Sequence, residues 1–213
     1  CGGTAAGVLA AAGKKVLVLE RGRWRDYANS GHRDHLRNHR LFQYGHNTGP
    51  ELEGNPRVFV DPLGNEHLVA PHQNGYQPLA SAVGGGTLVY GRQGWRFHPL
   101  DFAMASTYGV PDGSSLADWP ISYEDLAPWY DRAEWEIGVS GVKGGDPNGG
   151  PRQRDFPMPP LPGRGSTDVL ARGALKLGLK TFAVPLLLNS QPRDGRAACI
   201  QCVRGIGFPC AVD

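Results

Sequence analysis

The chain has 213 residues, with 22 Lys and Arg against 20 Asp and Glu for a formal net charge of +2, which excludes a strongly basic nucleic-acid surface. A hydrophobic content of 40% with 5 Trp excludes a disordered chain. The 31 Gly and 18 Pro, about twice ordinary usage and without a strict period, exclude collagen and point to many turns and close backbone approaches. No apolar run approaches the roughly 18 residues of a membrane span. The chain opens on Cys1 rather than Met and stops at Asp213 just after a cysteine-rich segment, so both ends read as cuts in a longer protein.

Residues 1–20 (CGGTAAGVLAAAGKKVLVLE) are the sharpest segment. Small residues at 4–12 predict a helix stopped by Gly13. The run 16–19 (VLVL) predicts a short strand buried on both faces, ended by Glu20. Residues 21–80 hold six of the seven His and lack long periodicity. Within them, 58–60 and 67–69 flank Asp61-Pro62-Leu63-Gly64-Asn65 as the arms of a hairpin. A second glycine patch follows at 81–97 (SAVGGGTLVYGRQGWRF).

In 117–137 (ADWPISYEDLAPWYDRAEWEI), Ser122 and Asp125 have the spacing of a capping box. Pro128 can start the helix, and Trp129, Ala133 and Ile137 share one face at helical spacing. Trp129, Tyr130 and Trp135 read as core packing. Residues 138–165, rich in Gly and Pro, read as a connection without a core of its own. Ser166 is expected to cap a helix over 166–177 that Gly178 stops, and 181–188 is a candidate strand. Residues 189–213 form a loop carrying three of the four Cys.

The chemistry concentrates at the glycines. A dinucleotide pyrophosphate needs backbone N–H groups at a helix N-terminus and no Cβ where it approaches. The fingerprint is G-x-G-x-x-G after a strand, with an acidic residue roughly 20 positions on for a ribose hydroxyl. Gly2 or Gly3 stands as its third glycine, and the helix, VLVL and Glu20 follow in order. An acidic residue there favours an unphosphorylated ribose, as in FAD or NAD. A plain turn does not need the three consecutive glycines 84–86, whereas a loop lying against a flat ring or a phosphate does.

Together these segments resemble the glucose–methanol–choline (GMC) family of FAD-dependent oxidoreductases over nearly the whole chain. The resemblance is carried by VLVLERG, by SAVGGGTLVYGRQGWRF, by FHPLDFAMASTYGVPDG with LADWPISYEDLAPWYDRAEWEIGVSG, and by CIQCVRGIGFPC. It implies an α/β fold, in which a Rossmann-like FAD-binding domain is interleaved with an α+β substrate domain. On this chain 1–137 would be an incomplete FAD-binding domain, 138–165 the connection, and 166–213 the start of the substrate-domain region.

The implied reaction is hydride transfer from the CH–OH carbon of an alcohol or sugar to flavin N5, with oxygen, a quinone or a cytochrome as electron acceptor. By position, Gly2, Gly3 and Thr4 would contact the pyrophosphate, Glu20 the adenosine ribose, and Arg21 the adenine end. Gly84, Gly85, Gly86, Thr87, Tyr90 and Gly91 would line the isoalloxazine or pyrophosphate, although many members carry Asn at the place of Tyr90. The family's catalytic His lies in a later part of the chain, so none of the seven His is assigned to catalysis, and His72 and His98 read as structural.

Two other readings compete. Cys199, Cys202 and Cys210 could organise an electron-transfer or metal-binding module, with a disulfide or reduced thiols as the plainer option. A related cluster pattern would have a fourth Cys at the place of Gly205. His32, His35 and His39 share a helical face, but Arg33, Arg37 and Arg40 crowd it with positive charge and favour a solvated face. A flavin disulfide reductase would need a redox Cys pair soon after the first strand–helix–strand unit, and none is there.

Overall fold

Two glycines with left-handed backbone punctuate the chain where helices must stop, and both do so by the same device. A computed structural model describes residues 2–24, 55–70, 73, 81–88, 90–202, 210 and 212. His32, His35, His39, His46, His72, Cys1 and Gly205 lie outside them. Helix α1 spans Gly2–Ala11. Gly13 (φ +74°) ends it, donating to the Ala10 carbonyl at 2.9 Å while Lys14 N donates to Leu9 O at 3.0 Å, a Schellman motif. Helix α4, Gly165–Lys176, ends identically: Gly178 (φ +71°) donates to Leu175 O and Leu179 N to Ala174 O. Its start differs from expectation, because Arg164 is the N-cap, its side chain making no capping bond, and Ser166 lies inside the first turn.

The chain divides into two compact units, residues 1–91 with 201–211, and residues 92–200. The fold mixes helix with a small sheet, which is compatible with an α/β class. In the first unit, strands β1 (Arg57–Val60) and β2 (Glu66–Val69) pair antiparallel with Val60 opposite Glu66. Asp61 builds the turn. Its carboxylate accepts from the backbone N–H of Leu63 and Asn65, from Asn65 Nδ2, and pairs with His67 Nε2 at 3.0 Å. These bonds, that to His67 first, pull its pKa from 3.8 down to about 2.

The strand expected at 16–19 does not form. Leu17 and Leu19 are 82% and 86% exposed, and no described residue pairs with the segment. A central parallel strand exists only with neighbours on both sides, and the only named sheet among the described residues is β1–β2.

The second unit is built around short backbone pairings. Leu186 bridges Gln93 on one side and Ser140 on the other, and Ser140 also bridges Met158. Ser140 N donates to Leu186 O at 2.8 Å and Leu186 N returns the bond at 2.9 Å. Pro185, which has no N–H, confines the strand expected at 181–188 to this single paired position. The segment 138–165 is no bare connection: Val139, Ser140 and Met158 are among the most buried residues of the chain. Glycine makes this possible. A Cβ on Gly150 would lie 2.3 Å from the Tyr123 ring, and one on Gly141 would lie 2.7 Å from that of Phe156.

Helix α2 (Met104–Tyr108) is tied to Asp118, which accepts from the Ser106 N–H and hydroxyl, and these bonds lower the Asp118 pKa. Phe102 packs edge to face on Phe97, Trp119 and Tyr123 with ring centroids 5.8 to 6.3 Å apart. Helix α3 runs Tyr123–Ile137 from the expected capping box. Ser122 accepts from Asp125 N, and Asp125 accepts from the Ser122 N–H and hydroxyl, which lowers the Asp125 pKa. Pro128 sits inside this helix rather than at its start. With no N–H it cannot bond the Glu124 carbonyl one turn back, so the helix runs through it with one backbone bond fewer.

The buried face of α3 is the reverse of the expected one. Trp129 is 61% exposed and Ile137 half exposed, while Tyr123, Asp131 and Glu134 are buried. The reason is an ion network. Arg96, its side chain 2% exposed, donates from Nε and Nη2 to the two oxygens of Glu134 at 2.8 and 2.6 Å, and from Nη2 to Asp131 at 2.5 Å. Arg152 grips the same Glu134 with both terminal nitrogens, at 2.8 and 3.2 Å. Burial alone works against the Arg96 charge, but the bonds to Glu134, Asp131 and Tyr123 outweigh it and raise its pKa further above the ordinary range. His98 is structural as expected: its Nδ1 caps the 3-10 turn Pro99–Phe102 by accepting from Leu100 N at 3.1 Å.

Two outcomes follow from these bonds. Glu134→Gln leaves two buried guanidinium groups underpaired and is expected to lower unfolding stability by about 3–5 kcal/mol; denaturant unfolding read by Trp fluorescence measures it, since Trp95, Trp119, Trp129 and Trp135 all lie in this unit. Because the folded pKa of Asp61 is depressed, its contribution to the hairpin is present above pH 3.8 and is lost as the pH falls toward 2. Titration of its carboxyl carbon by NMR should give a midpoint near 2, and an ordinary midpoint would mean that the turn bonds do not form in solution.

Candidate functional site

The glycine-rich segments of the first unit meet at one small residue. Ala82 is 1% exposed. A Cβ on Gly22 would lie 2.3 Å from the Ala82 backbone nitrogen, so the two main chains touch only because Gly22 has no side chain. Arg23 forms a parallel bridge with Ala82, and Val83 N donates to Arg23 O at 3.0 Å. Ala82 O then accepts from Gly85 N at 2.8 Å and starts the glycine loop.

That loop turns twice through left-handed backbone, at Gly84 (φ +92°) and Gly85 (φ +57°), into the 3-10 turn Gly85–Leu88. Thr87 Oγ1 donates back to Gly84 O, and Tyr90 N donates to Gly86 O at 3.1 Å. On the other side of the junction, the Glu20 carboxylate accepts from Gly22 N at 2.7 Å. One such bond uses only part of a carboxylate's acceptor capacity. The structure thus sets residues 22–23, directly after Glu20 and Arg21, against residues 82–83, directly before Gly84, Gly85, Gly86 and Thr87, with Tyr90 and Gly91 next in the chain. No backbone hydrogen bond among the described residues joins α1, with Gly2, Gly3 and Thr4, to that junction.

A dinucleotide fits what the glycines leave open. Gly84 and Gly85 are required by their backbone angles. Gly2, Gly3 and Gly86, like Gly7, Gly165 and Gly173, are required by neither angle nor packing, since a Cβ on any of them would meet nothing within 4 Å. Gly2 and Gly3 open α1, where glycine costs less than the roughly 1 kcal/mol of a helix interior. The first turn of α1 carries no acidic residue, which leaves the positive end of its dipole available to an anion.

Sequence reasoning missed the Gly22–Ala82 contact. A lone glycine between two arginines carries no signal of the partner it touches 60 residues later. Among the described residues no group of three His, Cys, Asp or Glu stands close enough to hold a metal ion, and Cys199, Cys202 and Cys210 form no disulfide.

No family model matches the chain. It is similar to the fructose dehydrogenase large subunit of Gluconobacter japonicus, 34% identical over 206 residues covering 93% of this chain and 37% of that protein. The relatives it matches are named as dehydrogenases and oxidases. A second, 2-methyl-1,2-propanediol dehydrogenase of Mycolicibacterium austroafricanum, is 32% identical over 90% of this chain and 32% of its own length. A third, the gluconate 2-dehydrogenase flavoprotein of Pantoea cypripedii, is 28% identical over 55% of this chain and 23% of its own. The chain thus spans about a third or less of the curated relatives it matches. Their names favour an oxidoreductase over an electron-transfer or metal-binding module organised by Cys199, Cys202 and Cys210.

Gly22→Ala tests the junction. It is expected to push the 20–23 segment off Ala82, cost about 1–3 kcal/mol of local stability, and expose the Val83 amide to fast hydrogen exchange; unchanged protection of Val83 would mean that the contact is loose in solution.

Proposed function

We propose that the chain is the cofactor-binding part of a GMC-type oxidoreductase that binds FAD through a Rossmann-like unit and acts on the CH–OH group of an alcohol or sugar. The observation that carries this is the Gly22–Ala82 junction, which sets the backbone just after Glu20 and Arg21 against the start of the glycine loop. The relatives support it, since one is named a flavoprotein and the others act, by name, on fructose or a diol.

FAD, when bound, would supply the acceptor for one hydride, that is, a proton with its pair of electrons. The chain's residues hold it. Backbone N–H groups of Gly2, Gly3 and Thr4 at the start of α1 donate to the pyrophosphate, and the absence of Cβ lets it approach. Glu20 accepts from the adenosine ribose hydroxyls, with Arg21 at the adenine end. Gly84, Gly85, Gly86, Thr87, Tyr90 and Gly91 form the wall against the flat ring or the pyrophosphate. No histidine of this chain is given the role of base, so it is expected to bind cofactor without turning over an alcohol. The electron acceptor of the whole protein is oxygen, a quinone or a cytochrome.

Equilibrium dialysis of the chain against FAD tests the reading. Binding is expected, weakened about tenfold or more by Glu20→Ala, which removes a charged hydrogen-bond acceptor. Gly86→Val should weaken it similarly through steric block alone. Absence of FAD binding by the folded chain, or binding indifferent to both variants, would overturn the assignment.

A further inference from the structure

The 92–200 unit holds a cavity of about 310 Å³ that the core does not use. It is at the lower end of the roughly 300–1,000 Å³ range of ligand pockets, a size for one small ring and not for a dinucleotide. None of its lining residues is among those assigned to the cofactor.

One wall is aromatic. Trp95 and Phe182 meet edge to face with centroids 5.9 Å apart, and Phe156 lies beside them with the Arg152 guanidinium over its ring at 3.7 Å. The Trp95 indole N–H is committed to Gln93 Oε1 at 2.8 Å, so it is not a donor left over for a ligand.

The other wall is polar. Lys143 and Asp146 stand on a glycine-rich loop that runs to Gly150. Lys143 Nζ donates to Gln153 O at 3.3 Å, one long bond for a group with three donors. Asp146 accepts from Asn148 N at 2.9 Å through Oδ1, one bond for a group with about four acceptor sites.

Charge decides the ligand class. Arg96 and Arg152 also line the cavity, but Glu134 and Asp131 already match them. Lys143 and Asp146 cancel each other. The wall therefore offers no net charge to draw an anion or a cation out of water. It offers an apolar platform facing a donor and an acceptor. A neutral ring with an apolar C–H face and hydroxyls around its edge satisfies all three. We infer that this cavity binds a monosaccharide-sized polyol, its C–H face on Trp95 and Phe182 and its hydroxyls on Lys143 and Asp146. This site needs no flavin and stands apart from the cofactor reading.

The test uses the full chain, without flavin, labelled with ¹⁵N at tryptophan. The Trp95 indole signal is assigned by its loss in Trp95→Phe. Titration with D-fructose and, separately, D-glucose should move that signal in a saturable way with at least one of them. Lys143→Met and Asp146→Asn should each weaken this binding by about tenfold. Lys143 is exposed and Asp146 part-exposed, so both variants should keep the folded spectrum. Three results would overturn the proposal: no movement of the Trp95 signal with either sugar, equal affinity in both folded variants, or tighter binding of sodium benzoate than of the sugars.

Discussion

The 92–200 unit depends on keeping one guanidinium charged out of water. Arg96 is almost wholly buried, and an unpaired charge there would cost far more than the unit could recover. Two carboxylates one helical turn apart, Asp131 and Glu134, solve this, and they fix how α3 is rotated about its axis. Arg152 closes on the far side of Glu134, so the loop that carries it is held as well. Tyr123 completes the set: Arg96 Nη1 donates to its hydroxyl at 3.4 Å, and that hydroxyl donates to Pro151 O at 2.6 Å. Gly150 lacks a Cβ where the Tyr123 ring must fit. Segments far apart in the chain thus answer to one charge.

That constraint explains which features of the unit could be read in advance. The capping box at Ser122 and Asp125 is complete within four residues, so its spacing alone reveals it. The glycine stops at Gly13 and Gly178 are equally local, because a left-handed residue and two backbone bonds need no distant partner. The hairpin at 57–69 is legible because Asp61, Leu63, Asn65 and His67 supply their own bonds. The rotation of α3 is another matter. Its hydropathy pattern favours Trp129, Ala133 and Ile137 as the inner face, and the acids that turn inward have their reason in Arg96, 35 and 38 residues earlier. A helix's own period does not contain that information.

The candidate cofactor site divides along the same line. Its glycines were visible as an excess without a period, and the acidic Glu20 as the end of an apolar run. The contact that assembles them, Gly22 against Ala82, was not visible, because close approach of two main chains leaves no mark on either beyond a small residue. The run 16–19 shows the converse. Its composition suits a buried strand, but strand state belongs to a ladder and not to a segment, and the described residues offer 16–19 no partner.

The two units also differ in what a ligand would change. In the 92–200 unit the charged network already fixes α3 and the 150–156 loop, so a small ligand would enter a cavity whose walls are held by other bonds. In the first unit the glycine loop is held by a few backbone bonds around Ala82 and by Thr87 on Gly84. Glycine is the residue that loses most freedom on ordering, so consecutive glycines here are a standing entropic cost. α1 adds another, with two glycines in its first turn and no buried residue. A ligand that bonds to those backbone groups offsets both costs at once. Its binding free energy appears as stability of the same segments, growing with ligand concentration above its dissociation constant. The glycines proposed to open the site to a dinucleotide would therefore also make the order of that unit depend on it.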